Sequence, residues 1–124
     1  MEPKNLLLLE DESEIAELVT VALEGVCNIE HAQNLSQACE MVNLNKYHMI
    51  IADRHLPDGD GISLVNELAE SRNKGIPLLF LSGMIDEESK VEGLVKGAVD
   101  YIEKPFSSRE LRVRVSKSLS KNRF

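Results

Sequence analysis

Three apolar runs and one short strand-like segment in this sequence each lead into a polar residue able to do chemistry. Glu10 and Asp11 follow residues 5–9, Asp53 follows 48–52, Ser82 follows 77–81, and Lys104 lies just beyond 99–102. Brought together, three carboxylates, a hydroxyl and an ammonium have a definite use. Crowded carboxylates repel and desolvate one another, which a hard divalent cation with oxygen ligands relieves. Beside such a cation one carboxylate stays ionised and can attack an electrophilic phosphorus. The hydroxyl and the ammonium can then meet the charge on the phosphoryl oxygens. Each residue alone is ordinary. Glu10 and Asp11 can complement the dipole of a following helix, and an Asp after a strand is commonly a turn residue. What carries the chemical reading is that they stand at matching places.

Those places matter only if the runs are neighbouring parallel strands. Residues 5–9, 28–31, 48–52, 77–81 and 99–102 read as strands. The spacing predicts helices over 13–24, 36–45, 62–71, 86–96 and 107–121. In the first helix Ile15, Leu18, Val19, Ala22 and Leu23 share a face. Ser36 is a candidate N-cap of the second, and Gly97 stands at the C′ position of the fourth. Ser107 and Glu110 have capping-box spacing at the fifth, and Pro57-Asp58-Gly59-Asp60-Gly61 is a turn signal. The order is βα five times over. Strands that are apolar throughout are buried on both faces, so the sheet should be parallel, covered by helices on both sides in a three-layer αβα sandwich. Ligands of such sheets bind beyond the carboxyl ends of the strands, where the polar residues fall.

Bulk properties agree. The chain has 124 residues, 43% hydrophobic and 28% charged, with no Trp, so aliphatic side chains must fill its core. Residues 1–124 read as one domain, its core about 5–119, with 120–124 a tail or the start of a linker. The net charge of −7 argues against this domain binding nucleic acid by itself, although bases dominate after Lys104, where Glu110 is the only acid. No segment approaches the roughly 20 apolar residues that cross a bilayer, and nothing reads as a signal peptide. Cys27 and Cys39, with His31, His48 and His55, show no metal or redox spacing, and a cytoplasmic location is expected.

The residues resemble the receiver domains of bacterial two-component response regulators, the chemotaxis-type, flavodoxin-like receiver family. Asp53-Arg54-His55-Leu56-Pro57-Asp58-Gly59-Asp60-Gly61 is similar to the family's phosphoacceptor motif, Asp-x-x-Leu/Met-Pro-x-x-x-Gly. Glu10-Asp11 matches its acidic pair, and Leu81-Ser82-Gly83 its Thr/Ser position. Residues 97–106 match Gly-Ala-x-Asp-Tyr-x-x-Lys-Pro-Phe. The resemblance runs from about Asn5 to Leu119.

It implies a doubly wound parallel sheet of five strands, (βα)5, in the order 2-1-3-4-5. Asp53 would accept a phosphoryl group from a histidine kinase or a histidine phosphotransfer protein. Mg²⁺ (or Mn²⁺) would be held by Asp11, Asp53 and the backbone carbonyl of His55, with Glu10 acting mostly through water. Ser82, Lys104 and the backbone N–H groups of Arg54 and Gly83 would contact the phosphoryl oxygens. Tyr101 would turn inward from solvent as Ser82 moves toward the phosphate, and the Lys104–Pro105 peptide would be cis. The signal would leave through the fourth helix, fifth strand and fifth helix, toward an output domain or effector protein. Glu110 and Arg114 fit the transcription-factor branch, which forms a homodimer through that face, while Val99 replaces an acid that helps to hold it. No membrane partner is implied.

Such a domain is a switch rather than a turnover enzyme, although it hydrolyses its own acyl phosphate. A rival reading is a pseudo-receiver, a binding module of the same fold that is never phosphorylated. Such modules usually lack one of the five site residues, and none is missing here. An aspartyl phosphatase would favour Asp-x-Asp, and Asp53-Arg54-His55 has no second carboxylate. His55 is either a plain exposed histidine or a group that tunes phosphate access.

Overall fold

The computed structural model describes residues 3–83 and 87–120. Five strands form one parallel sheet: β1 (Asn5–Leu9), β2 (Asn28–Ala32), β3 (Met49–Ala52), β4 (Leu78–Ser82) and β5 (Asp100–Glu103), in the order β2-β1-β3-β4-β5. The helices between them are α1 (Ser13–Ala22), α2 (Leu35–Leu44), α3 (Leu64–Ala69), α4 (Glu87–Val95) and α5 (Ser108–Ser120). This is the flavodoxin-like αβα sandwich expected from the sequence.

The central strands β1, β3 and β4 are buried because alternate residues serve two cores. Leu7, Leu9, Ile50, Ala52, Leu78 and Phe80 face one way, onto Ala38 and Val42 of α2 and Leu64 and Leu68 of α3. Leu6, Leu8, Met49, Ile51, Leu79 and Leu81 face the other way, onto Ala16 and Val19 of α1 and Leu111 and Val115 of α5. Leu18, placed on the apolar face of α1 by its spacing, is instead 52% exposed, and the inward stripe runs through Ala16, Val19, Ala22 and Leu23.

Several ends differ from expectation. The N-cap of α2 is Asn34, not Ser36: the Asn34 side chain accepts the Gln37 N–H at 2.8 Å. Ser36 and Leu35 instead donate their N–H groups to the Asp58 carboxylate, at 3.0 and 2.9 Å, so a distant loop completes the cap. α1 stops at Ala22, two residues before the expected end. The third helix starts as a 3-10 turn over Gly61–Ser63 and is short. The Pro57–Gly61 turn lies in a two-stranded antiparallel ribbon pairing His55–Leu56 with Gly59–Asp60.

α4 ends as its sequence indicates. Gly97 has φ +118°, its N–H reaches the Leu94 carbonyl, and that of Ala98 reaches Gly93, the paired bonds of a Schellman motif. Ser107 caps α5, its Oγ accepting the Glu110 N–H at 3.2 Å, while the Glu110 carboxylate turns to Arg114 rather than back to close a box. Asp86 and Lys121, the outer ends expected for the last two helices, lie outside the described residues.

Candidate functional site

The parallel register assembles the site. Leu9 pairs with Ala52, so the next residues, Glu10 and Asp53, emerge side by side at the carboxyl ends of β1 and β3. The Asp53 N–H donates to the Leu9 carbonyl at 2.9 Å, fixing that juxtaposition. Ser82 pairs with Glu103 at the end of β4, and its carbonyl accepts the Lys104 N–H at 2.8 Å. The Lys104 side chain then reaches back across the strand ends, its peptide to Pro105 being cis.

The Lys104 ammonium donates to Asp53 Oδ2 at 2.9 Å and lies 2.8 Å from Glu10 Oε1. Asp53 Oδ1 accepts the His55 N–H at 3.1 Å, and Glu10 Oε2 accepts the Glu12 N–H at 3.2 Å. Glu10, Asp53 and Ser82 are only 1%, 4% and 0% exposed, whereas Asp11 and Glu12 stand at the open rim. Ligand atoms of Glu10, Asp11, Glu12 and Asp53 lie within 4.8 Å of one another. Burial pushes the Glu10 carboxyl above its ordinary pKa, against the pull of Lys104 and the Glu12 N–H. Burial works against the charged Lys104 too, but its bonds to Glu10 and Asp53 outweigh it and raise its pKa, so the ammonium stays protonated. Four carboxylates thus face one ammonium. The donors are all oxygen, hard and in excess of the cation present, a set suited to a hard divalent ion.

The loop after Asp53 is held close. Gly61 returns its N–H to the Arg54 carbonyl at 2.8 Å, and a Cβ there would lie 2.0 Å from the Asp53 carbonyl oxygen. Only glycine fits. Gly83, beyond Ser82, opens onto space: a Cβ there would meet nothing within 4 Å. Tyr101 is 7% exposed, with its ring 6.0 Å from that of Phe80. It already occupies an inward position, not the solvent-facing one expected of the resting chain.

Three participants escaped the sequence reading. Glu12 joins the acid cluster; the run Glu10-Asp11-Glu12 was the available signal. His31 Nε2 donates to the Glu10 carbonyl at 2.6 Å, from the strand that flanks β1. The Arg54 side chain, 3% exposed, forks onto both Asp60 oxygens at 2.8 and 2.9 Å and donates to Glu92 at 2.8 Å and the Ser89 carbonyl at 2.9 Å. No local pattern announces partners so far along the chain. A groove of 740 Å³ lies elsewhere, where Leu78 and Asp100 begin β4 and β5, and takes no part in this site.

Comparison with known proteins decides the family. The model of the response regulator receiver domain matches residues 6–116. The chain belongs to the response regulator receiver family. Similar proteins include the transcriptional regulatory protein SrrA of Staphylococcus aureus, 39% identical over 111 residues, which are 89% of this chain and 45% of that protein. The transcriptional regulatory protein KdpE of the same organism is 35% identical over 89% of this chain and 47% of its own length. The chain thus spans about half the length of these curated relatives. Among solved structures, the receiver domain of the Francisella response regulator 1452 superposes with a TM-score of 0.85 at 34% identity, covering 97% of this chain and 98% of that one. This receiver domain is therefore a signalling domain of the two-component type. Among its described residues no helix is long and apolar enough to cross a membrane.

Proposed function

We propose that this receiver domain is a phosphorylation-dependent switch whose phosphoacceptor is Asp53. The observation that carries the reading is the Asp53 carboxylate, buried beside the Lys104 ammonium at 2.9 Å within a cluster of three further acids. An Asp53 oxygen attacks the phosphorus of a phosphohistidine on a histidine kinase or phosphotransfer protein. A P–O bond forms to the carboxylate, the P–N bond breaks, and the imidazole leaves with the electron pair. Mg²⁺ (or Mn²⁺), held by Asp11, Asp53 and the His55 carbonyl with Glu10 and Glu12 close by, supplies charge neutralisation when bound. Lys104 exchanges its bond to the carboxylate for one to the phosphoryl group, and Ser82 with the N–H groups of Arg54 and Gly83 receives the remaining charge. Hydrolysis of the acyl phosphate by water resets the switch.

Reversing a 1:99 population takes about 5.5 kcal/mol. Three or four charge-assisted hydrogen bonds to a phosphoryl group, each worth about 1.5–3 kcal/mol, supply that order. The outgoing face is α4, β5 and α5, read by an output domain or effector, in the cytoplasm and without nucleic acid bound by this domain itself. All five site residues are present, which favours a switch over a pseudo-receiver.

The test is amide NMR with Mg²⁺ and beryllofluoride, a phosphoryl mimic. Signals of residues 10–12, 53–55, 82–83 and 104 should shift in the wild type and stay still in Asp53→Asn. A wild type unmoved at these residues overturns the reading.

A further inference from the structure

α4 is bound to the rest of the domain by very little apolar surface. Of its nine residues only Gly93 is buried, and Val91, Leu94 and Val95 are 50%, 41% and 79% exposed. At Gly93 the helix passes close to two rings: a Cβ there would lie 3.2 Å from that of Phe80 and 3.4 Å from that of Tyr101. With only one residue fully buried and its apolar side chains at best little more than half covered, α4 draws on polar contacts as well to hold its position.

Among the described residues, the Arg54 guanidinium supplies such contacts. Its Nη1 donates to the Ser89 carbonyl and its Nη2 to Glu92, one helical turn along α4, while Nε and Nη2 grip Asp60 in the loop after Asp53. The cation lies 5.7 Å above the Phe80 ring, which also underlies Gly93. Arg54 is 3% exposed, whereas the side chains of Asp60 and Glu92 are 48% and 52% exposed. Burying a charge is costly without partners, and this one has carboxylates on two separate elements and a backbone carbonyl. A planar guanidinium can make all four bonds at once; an ammonium cannot.

Arg54 is also the residue after Asp53, and in the switch proposed above its backbone N–H meets the phosphoryl group. We infer that Arg54 is a positioning residue that latches α4 to the phosphoacceptor loop and carries that loop's movements to the output face. Its main chain faces the phosphoryl site and its side chain holds the helix. The second half of this inference rests on the phosphoacceptor reading; the first does not.

The experiment compares wild type, Arg54→Met, Arg54→Lys and Glu92→Gln by amide hydrogen exchange and NMR. Without ligand, exchange in residues 87–95 should quicken about tenfold in Arg54→Met, less in Arg54→Lys and Glu92→Gln, with α1 and α5 unchanged. Unchanged exchange in α4 overturns the latch, as does equal loosening of α1 and α5, which would mark general destabilisation. Glu92→Gln leaves the phosphoacceptor loop intact and decides the matter if Arg54→Met does not fold. At saturating Mg²⁺ and beryllofluoride, the shifts of residues 87–95 should fall by at least half in Glu92→Gln while those of 53–55 persist. Shifts in α4 as large as in the wild type overturn the transmission. A wild type silent to beryllofluoride sinks the phosphoacceptor reading and with it the transmission, and the latch itself is then decided by exchange alone.

Discussion

Adding one methyl group at Gly61 should damage this domain more than almost any change of its size. The Cβ of Gly61→Ala would stand 2.0 Å from the Asp53 carbonyl oxygen, 3.1 Å from its carbon and 3.4 Å from Arg54 Cα, whereas real Cβ atoms essentially never come within 3.0 Å. The opposing atoms are backbone, so no side chain can turn aside, and the loop or the end of β3 must give by about 1 Å. Overpacking of this kind costs about 1–3 kcal/mol, which lowers the melting temperature of a domain this size by roughly 4 °C per kcal/mol. The same displacement falls on the Asp53 main chain. A misplacement of about 1 Å at reacting groups costs on the order of a hundredfold in rate. Gly83→Ala is the matched control: it adds the same methyl group into open space and should leave stability unchanged or raise it by about 0.4–1 kcal/mol. Urea denaturation measures stability, and the initial rate of phosphoryl uptake from acetyl phosphate measures chemistry. Gly61→Ala with wild-type stability and a rate within twofold of wild type would refute the close-approach argument.

Mg²⁺ at ten times its dissociation constant should stabilise the wild type by about 1.4 kcal/mol in thermal melts, and Asp11→Ala should abolish most of that gain. Asn73 is 1% exposed and joins the Tyr47 N–H to the Val42 and Asn45 carbonyls at 2.7–2.8 Å, so Asn73→Ala should cost about 3 kcal/mol in urea melts by orphaning buried backbone groups. Arg54 holds the Asp60 carboxyl below its ordinary pKa of 3.8. Its stabilisation is therefore present above that value and lost as pH falls through the lower folded value. The stability gap between wild type and Asp60→Asn should be open at about pH 6 and shrink as pH falls below 3.8, and a gap that widens in acid would contradict the pairing.

The central strands and the layers are legible because buried parallel strands are written as unbroken apolar runs, and for β1 the run 5–9 gives both ends. The clustering of Glu10, Asp53, Ser82 and Lys104 at one edge followed from strand order, since in a parallel sheet the residue after each run projects at the same end. What stayed hidden depends on partners distant in sequence. Asn34 and Ser36 are both good caps locally, and the choice falls to Asn34 because Asp58, more than twenty residues on, takes the Leu35 and Ser36 N–H groups. Leu18 fits the period of α1 yet faces solvent, because the strip that α1 buries is only as wide as Ala16, Val19 and Ala22. The Arg54 side chain was invisible for the same reason: its partners lie 6 and 38 residues along the chain. The inward Tyr101 depends on the approach of Gly93 and Phe80, which no single segment encodes.

Whether Asp53 takes the phosphoryl group is tested most directly by mass spectrometry with peptide mapping after incubation with acetyl phosphate and Mg²⁺. One phosphoryl group per wild-type chain is expected, carried on the peptide containing Asp53, and none on Asp53→Asn. A wild type that takes up no phosphoryl group, or an Asn variant labelled as fully as the wild type, would contradict it.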